Sequence, residues 1–310
     1  MAIEITITQK SSSKKVLPLE VIIGSKLRYG YFDGVRLEEE MLGKSEFIAY
    51  NPNHIGRGFS VKWKEGETYQ VYLRLTIPSH DKEIDDFYDT VTRIATYWEN
   101  CEIRQNKRVL AIDDFVFQRS NTKANSLQTL SDLCNKTKIS KDGNVDLTSP
   151  YEAEISLHCA KWPIILGKKE KVMLANSVDS TRFKEFLHEK QAIDAYYGKA
   201  FFSQHKYTKE LNAKYVIDEG KVSIFPLKPE VPWWMINKQT GKPVKVAKWE
   251  IGLFSTTKDD LLGVIPYADF IARFKNFKNT EYYDHNHVLT KGVSLSEMEE
   301  LLGAGSLIVQ

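Results

Sequence analysis

Asp284, His285, Asn286 and His287 follow one another in the stretch NTEYYDHNHVLTKG, and each side chain carries an atom able to bind a metal or move a proton. On a strand, His285 and His287 project to one face, and two imidazoles at that spacing can hold zinc or another divalent ion. A metal-dependent hydrolase with these two ligands is therefore one expectation. Two ligands do not complete a site, however. The nearest earlier histidine is His205, and after residue 287 only Glu297, Glu299 and Glu300 could add a donor. The simpler expectation is the polar end of a strand, with no cofactor.

Other residues with chemistry are scattered. Asp113 and Asp114 follow the apolar run VLAI, and carboxylates at a strand end can hold magnesium beside a phosphate. That use needs a phosphate-cradling loop, and neither G-x-x-x-x-G-K-[ST] nor a dinucleotide fingerprint is present. Turn chemistry accounts for the pair more simply. No G-x-S-x-G marks a serine nucleophile. His158 and Cys159 are adjacent, but neighbours on a strand face opposite sides and cannot share a proton.

Two stretches suggest binding rather than catalysis. NPNHIGRG joins a turn-forming Asn-Pro to His54 and to Arg57, and a guanidinium between two glycines would be sterically free to meet an anion. The plainer reading is a conformationally demanding connection. VPWWM places Trp233 and Trp234 on opposite faces of a strand, so one ring must be covered by another element or left as an adhesive patch. Lys238, Lys242, Lys245 and Lys248 in the next hairpin could equally shield an edge strand.

The elements that must position these residues are well marked. At 310 residues, with 42% hydrophobic and 12% aromatic content, the chain can bury a sizeable core without disulfides or metals. Cys101, Cys134 and Cys159 are odd in number and widely spaced, which fits reduced thiols rather than a disulfide framework or a zinc knuckle. MAIEITITQK lacks the charged leader and apolar block of a signal peptide, and no stretch approaches the roughly 20 apolar residues a membrane helix needs. The expectation is a cytoplasmic protein with no membrane partner. Charge is balanced, with 21 basic and 21 acidic residues up to Pro150 and 22 and 20 after it, so a nucleic-acid partner is disfavoured.

Ile3, Ile5 and Ile7 alternate, predicting an opening strand, and Glu38, Glu39 and Glu40 read as one solvated turn. Phe59, Val61 and Trp63, then Tyr69, Val71, Leu73, Leu75 and Ile77, predict an antiparallel hairpin closed by Pro78. Ser79 can cap a following helix, whose stripe of Ile84, Phe87, Tyr88, Val91, Ile94, Ala95 and Trp98 must lie on the hairpin's dry face. CEIRQNKRVLAIDDF predicts a further strand pair. Residues 119–150 turn to Ser, Thr, Asn and Lys, which predicts a linker or exposed excursion with one short amphipathic piece around Leu127, Leu130 and Leu133. Beyond it, AEISLHCAKWPIIL and KVMLA predict strands, and a helix runs from Asp179 or Ser180 to Gly198. KYVIDEGKVSIFPL predicts a hairpin turning at Glu219-Gly220. The fold class is α+β: mostly antiparallel sheets with a few amphipathic helices, in sub-domains 1–118 and 151–310 of β-β-α-β character.

The stretch YNPNHIGRGFSVKW…YQVYLRLTIPSHDKEIDDFYDTVTRIATYW, and more loosely PLKPEVPWW…VAKWEIGLF…GVIPYADFI, resembles a family of uncharacterised bacterial proteins of about this length, a domain of unknown function. The resemblance implies a bacterial, cytoplasmic protein and transfers no catalytic residues. The expected function is a non-enzymatic module that binds another protein, as an inhibitor or immunity-type partner does, through Trp233, Trp234, His54 and Arg57. A metal-dependent hydrolase is the alternative, and weak nucleic-acid binding a second.

Overall fold

The fold is described from a computed structural model over residues 1–10, 14–32, 37–38, 46–63, 69–135, 154–175, 177–207, 210–232, 235–236, 241–242, 244–274 and 280–303. The chain forms two compact units, Met1–Ile193 and Asp194–Gln310. Both are α+β with mostly antiparallel sheets. The division falls at 193/194, not near residue 150, because the segments after residue 153 pack back onto the first unit.

In that unit, strands β1 (Ala2–Gln9), β2 (Arg28–Phe32), β3 (Leu37–Glu38), β4 (Glu46–Tyr50), β5 (Phe59–Lys62), β6 (Gln70–Thr76), β7 (Cys101–Gln105) and β8 (Arg108–Leu110) make one sheet in the order β3-β2-β4-β5-β6-β1-β7-β8. The predicted hairpin is present, with Phe59 opposite Leu75 and Val61 opposite Leu73. The opening strand β1 lies between β6 and β7. Ile5, Ile7, Val61, Val71, Leu73 and Leu75 are fully buried beneath helix α2 (Asp81–Trp98), whose whole predicted stripe is also buried. Burying each such side chain contributes about 1.5–3 kcal/mol, so this contact fixes the register of the unit.

Ahead of α2, a short helix α1 (Leu19–Ile23) packs on it, and after β8 comes helix α3 (Phe115–Asn135), which packs on α2 and on α4 (Lys168–Ala175). A hairpin of β9 (Ile155–Leu157) and β10 (Ile164–Leu166) and helix α5 (Thr181–Gln191) complete the unit. Three sequence expectations change here. Much of the predicted excursion at 119–150 is α3, whose buried seam of Thr122, Ser126, Leu130 and Cys134 repeats every fourth residue but is half polar. Thr122 meets the Tyr88 hydroxyl at 2.9 Å, and Ser126 bonds both the N–H and the carbonyl of Ser79. KVMLA lies in helix α4 rather than a strand, and α5 stops at Gln191, short of Gly198.

The second unit contains β11 (Tyr196–Tyr197), β12 (Phe201–Gln204), β13 (Leu211–Asp218), β14 (Val222–Pro226), β15 (Val246–Ser255), β16 (Asp260–Pro266), helix α6 (Tyr267–Phe274), β17 (Thr280–Tyr282), β18 (His287–Lys291) and helix α7 (Leu295–Gly303). They form two four-stranded sheets, β11-β14-β18-β17 and β12-β13-β15-β16. The predicted hairpin at Glu219-Gly220 is a turn between sheets: β13 pairs with β12 and β15, and β14 with β11 and β18. Among the described residues no helix is long and apolar enough to cross a membrane.

Candidate functional site

The sequence's loop 51–58 is held from below by three buried polar residues. His80, fully buried, is the N-cap of α2: its Nδ1 accepts the Glu83 N–H at 3.2 Å, one residue later than the predicted cap Ser79. That leaves Nε2–H to donate to the His54 carbonyl at 3.1 Å. Glu83, 4% exposed, accepts the Gly58 N–H at 2.6 Å through Oε1, and its Oε2 lies 3.5 Å from His80 Nε2. Arg57 is 8% exposed and donates from Nε to the His158 carbonyl and from Nη1 to the Pro78 carbonyl, each at 2.9 Å. Burial pulls the ionisation of both Arg57 and His80 below their ordinary values, while the Glu83 carboxylate partly opposes this in each case.

Arg57 is thus a buried clamp between chain segments, where the sequence reading has its guanidinium sterically free to meet an anion. Its flanking glycines have a different purpose from steric freedom at the surface. A Cβ on Gly56 would lie 2.8 Å from Glu83 Oε1, and Gly58 has φ +65° with the Ala49 carbonyl 2.8 Å from where its Cβ would fall. The loop can approach the buried carboxylate only without side chains there.

What this scaffold presents is His54. Asn51 caps the turn Pro52–His54 by accepting the Asn53 N–H, and the turn places His54 Nε2 2.7 Å from Asp86 Oδ2 on α2. Asn51 Nδ2 donates to the same oxygen at 3.2 Å. With Nε2–H given to the carboxylate, Nδ1 is an acceptor, and no described residue bonds to it. The pair lines an open cleft of about 470 Å³ with Lys26, Asn53, Lys82, Asp85, Asp89 and Arg119. A neighbouring cleft of about 580 Å³ shares Lys26 and Asn53 and extends along Ile23, Ser25, Leu27, Arg28, Tyr29 and Pro52. Arg119 reaches Asp89 at 2.7 Å and Asp85 at 3.4 Å, and Lys123 reaches Asp85 at 2.7 Å.

Apolar side chains are exposed in β8, the turn after it and the start of α3. Val109, Ile112, Val116 and Phe117 are 54%, 43%, 79% and 66% exposed, and Val116 lies three residues before Arg119 on one side of α3. Asp113 and Asp114 belong to the short turn ahead of that helix, where Asp114 accepts the Ala111 N–H. His158 and Cys159 share no role: the His158 carbonyl serves Arg57, and Cys159 is buried.

The DHNH stretch lies at a strand end, as the simpler expectation has it, and is not the extended strand that a metal pair would need. Asp284, His285 and Asn286 form a bend, and only His287 enters β18. His285 is exposed and His287 is buried, so the two imidazoles do not share a face. Asp284 Oδ1 accepts the N–H groups of Asn286 and His287 at 2.8 Å, and both its oxygens lie 2.9 Å from His287 Nδ1. His287 Nε2 accepts the Tyr197 hydroxyl at 2.8 Å. Both ring nitrogens are taken, and no group of three metal-binding side chains is found among the described residues. Burial, reinforced by Tyr215, Asp284 and Glu230, pushes Tyr197 far above the usual tyrosine range, so it stays a protonated donor. Trp233 and Trp234 lie outside the described residues.

Of these residues the sequence named His54, Arg57, His285 and His287, and it missed Asp86, His80, Glu83 and Asn51. One signal was available: His80, Glu83 and Phe87 continue a single helical stripe, which puts two ionisable residues on a buried face.

The architecture sets the class of the protein as α+β with mostly antiparallel sheets. Residues 2–301 match the family described as a domain of unknown function, DUF4299, and the chain belongs to that family. No curated protein matches it, and no solved structure does.

Proposed function

We propose that the protein is a non-enzymatic binding module of the bacterial cytoplasm, of inhibitor or immunity type, that engages another protein through the corner of the first unit around loop 51–58 and the start of α3. The observation that carries this reading is the exposed apolar set Ile112, Val116 and Phe117 around the start of α3, with Val116 one helical turn before Arg119 of the polar cleft. Apolar anchors ringed by polar groups are the anatomy of a protein interface. The buried clamp beneath the loop adds rigidity, which lowers the ordering cost of association.

A metal-dependent hydrolase on His285 and His287 draws no support from a pair on different faces whose buried member already has two partners. Nucleic-acid binding draws none from a cleft holding three carboxylates. The test is in-cell cross-linking and affinity capture of tagged wild type and Phe117→Asp, with thermal unfolding of both. A stoichiometric partner kept by wild type and lost by the variant, at unchanged stability, is expected. The reading fails if wild type holds no such partner, or if the variant holds it equally well.

A further inference from the structure

The two clefts joined at Lys26 and Asn53 form one groove, and its charges are not evenly matched. Every carboxylate in it already has a partner: Asp85 has Arg119 and Lys123, Asp86 has His54 and Asn51, and Asp89 has Arg119. Lys26, Lys82 and Arg28 line the same groove, all three are exposed, and none forms an ion pair with a described residue. The groove therefore presents uncompensated positive charge along its length. Beside these cations His54 Nδ1 is an acceptor with no donor among the described residues.

From this placement we infer that the groove receives an extended acidic segment of the partner protein, an inference that rests on the protein-binding reading above. Glutamate or aspartate side chains of the segment meet Lys26, Arg28 and Lys82, a main-chain N–H of the segment donates to His54 Nδ1, and an apolar residue beyond the Arg119 end covers Val116. Each contact uses a group that is otherwise unsatisfied or exposed. A polyanion such as RNA fits less well, because its evenly spaced phosphates would be driven against Asp85, Asp86 and Asp89, and the chain's net charge is only +2.

The probe is a fluorescein-labelled peptide of alternating glutamate and serine followed by leucine, titrated against the whole protein by anisotropy, with a lysine-for-glutamate peptide as control. Saturable binding of the acidic peptide only, weakened by salt, is expected. Lys26→Glu and Lys82→Glu should each weaken it about tenfold through loss of attraction and new repulsion. Lys82 lies in the first turn of α2, where a glutamate favours the helix dipole, so that variant folds. Equal binding of both peptides, affinity unchanged in the double variant, or tighter binding of a single-stranded oligonucleotide overturns the inference. If the acidic peptide fails while Phe117→Asp still loses the cellular partner, the acidic-segment inference falls and the protein-binding reading stands. If the peptide binds as described but wild type captures no partner, the protein-binding reading falls and the groove is left as an acidic-peptide site alone.

Discussion

Among the described residues, two histidine–aspartate pairs have nearly equal short contacts, 2.7 Å for His54–Asp86 and 2.9 Å for His287–Asp284, and they have opposite uses. In the second unit the partners are three residues apart in the chain, the carboxylate also collects backbone N–H groups, and the far ring nitrogen is closed by Tyr197. In the first unit the partners are 32 residues apart, the pair is brought together by a clamped loop and lines an open cleft, and the far nitrogen has no partner among the described residues. A His–Asp contact alone therefore says nothing about function. What separates a staple from a site is whether the second nitrogen of the ring is already satisfied.

The comparison can be broken most severely at the clamp. Arg57→Leu removes two buried hydrogen bonds to carbonyls and leaves Glu83 without a nearby buried cation, so a loss of about 3–5 kcal/mol is expected by urea unfolding. A cost below about 1 kcal/mol would mean that the loop does not depend on Arg57. Next comes the staple: Tyr197→Phe leaves buried His287 Nε2 without a donor, for about 1–3 kcal/mol, with no change in acidic-peptide binding. Loss of binding in that variant would erase the distinction between the pairs.

A pH experiment separates the clamp from the groove. Burial holds His80 below its ordinary 6.5, so the folded state resists taking a proton that the unfolded chain accepts. Stability from His80 is complete above pH 6.5 and is lost as the pH falls from there through the lower folded value, with a slope of at most about 1.4 kcal/mol per pH unit. His80→Asn keeps an N-cap acceptor and cannot protonate, so it should flatten that slope. An acid limb unchanged by the substitution would remove His80 from the account. The smallest stability effect belongs to His54→Gln, whose partly exposed hydrogen bond to Asp86 is worth at most about 1 kcal/mol, while peptide affinity should still fall measurably. A larger stability loss than that from Tyr197→Phe would invert the assignment of staple and site.

Much of the first unit is legible in the sequence. Ile5, Ile7, Val61, Leu73 and the stripe from Ile84 to Trp98 are periodic because each element buries one face, and periodicity survives any tertiary arrangement. α3 escapes because its seam uses Thr122 and Ser126, whose burial depends on the Tyr88 hydroxyl and the Ser79 backbone waiting opposite. The Glu219-Gly220 turn is readable, but turn chemistry is local and carries no information on whether the strands it joins pair with each other. The same limit governs the sites. His54 shows in its loop, and Asp86 does not show as its partner because nothing local links residues so far apart. DHNH reads as a metal pair only if the backbone is extended, and the three bonds that Asp284 makes to the following residues fold it into a bend instead.

The place of β1 between β6 and β7 has a consequence for biogenesis. During synthesis the segment Ala2–Gln9 leaves the ribosome ahead of both its neighbours, Gln70–Thr76 and Cys101–Gln105, which arrive only after a further stretch of chain. The sheet of the first unit is therefore sealed by a segment that must wait for both of its neighbours, and a fusion that occludes those residues would leave a five-stranded piece and a two-stranded piece with nothing to join them.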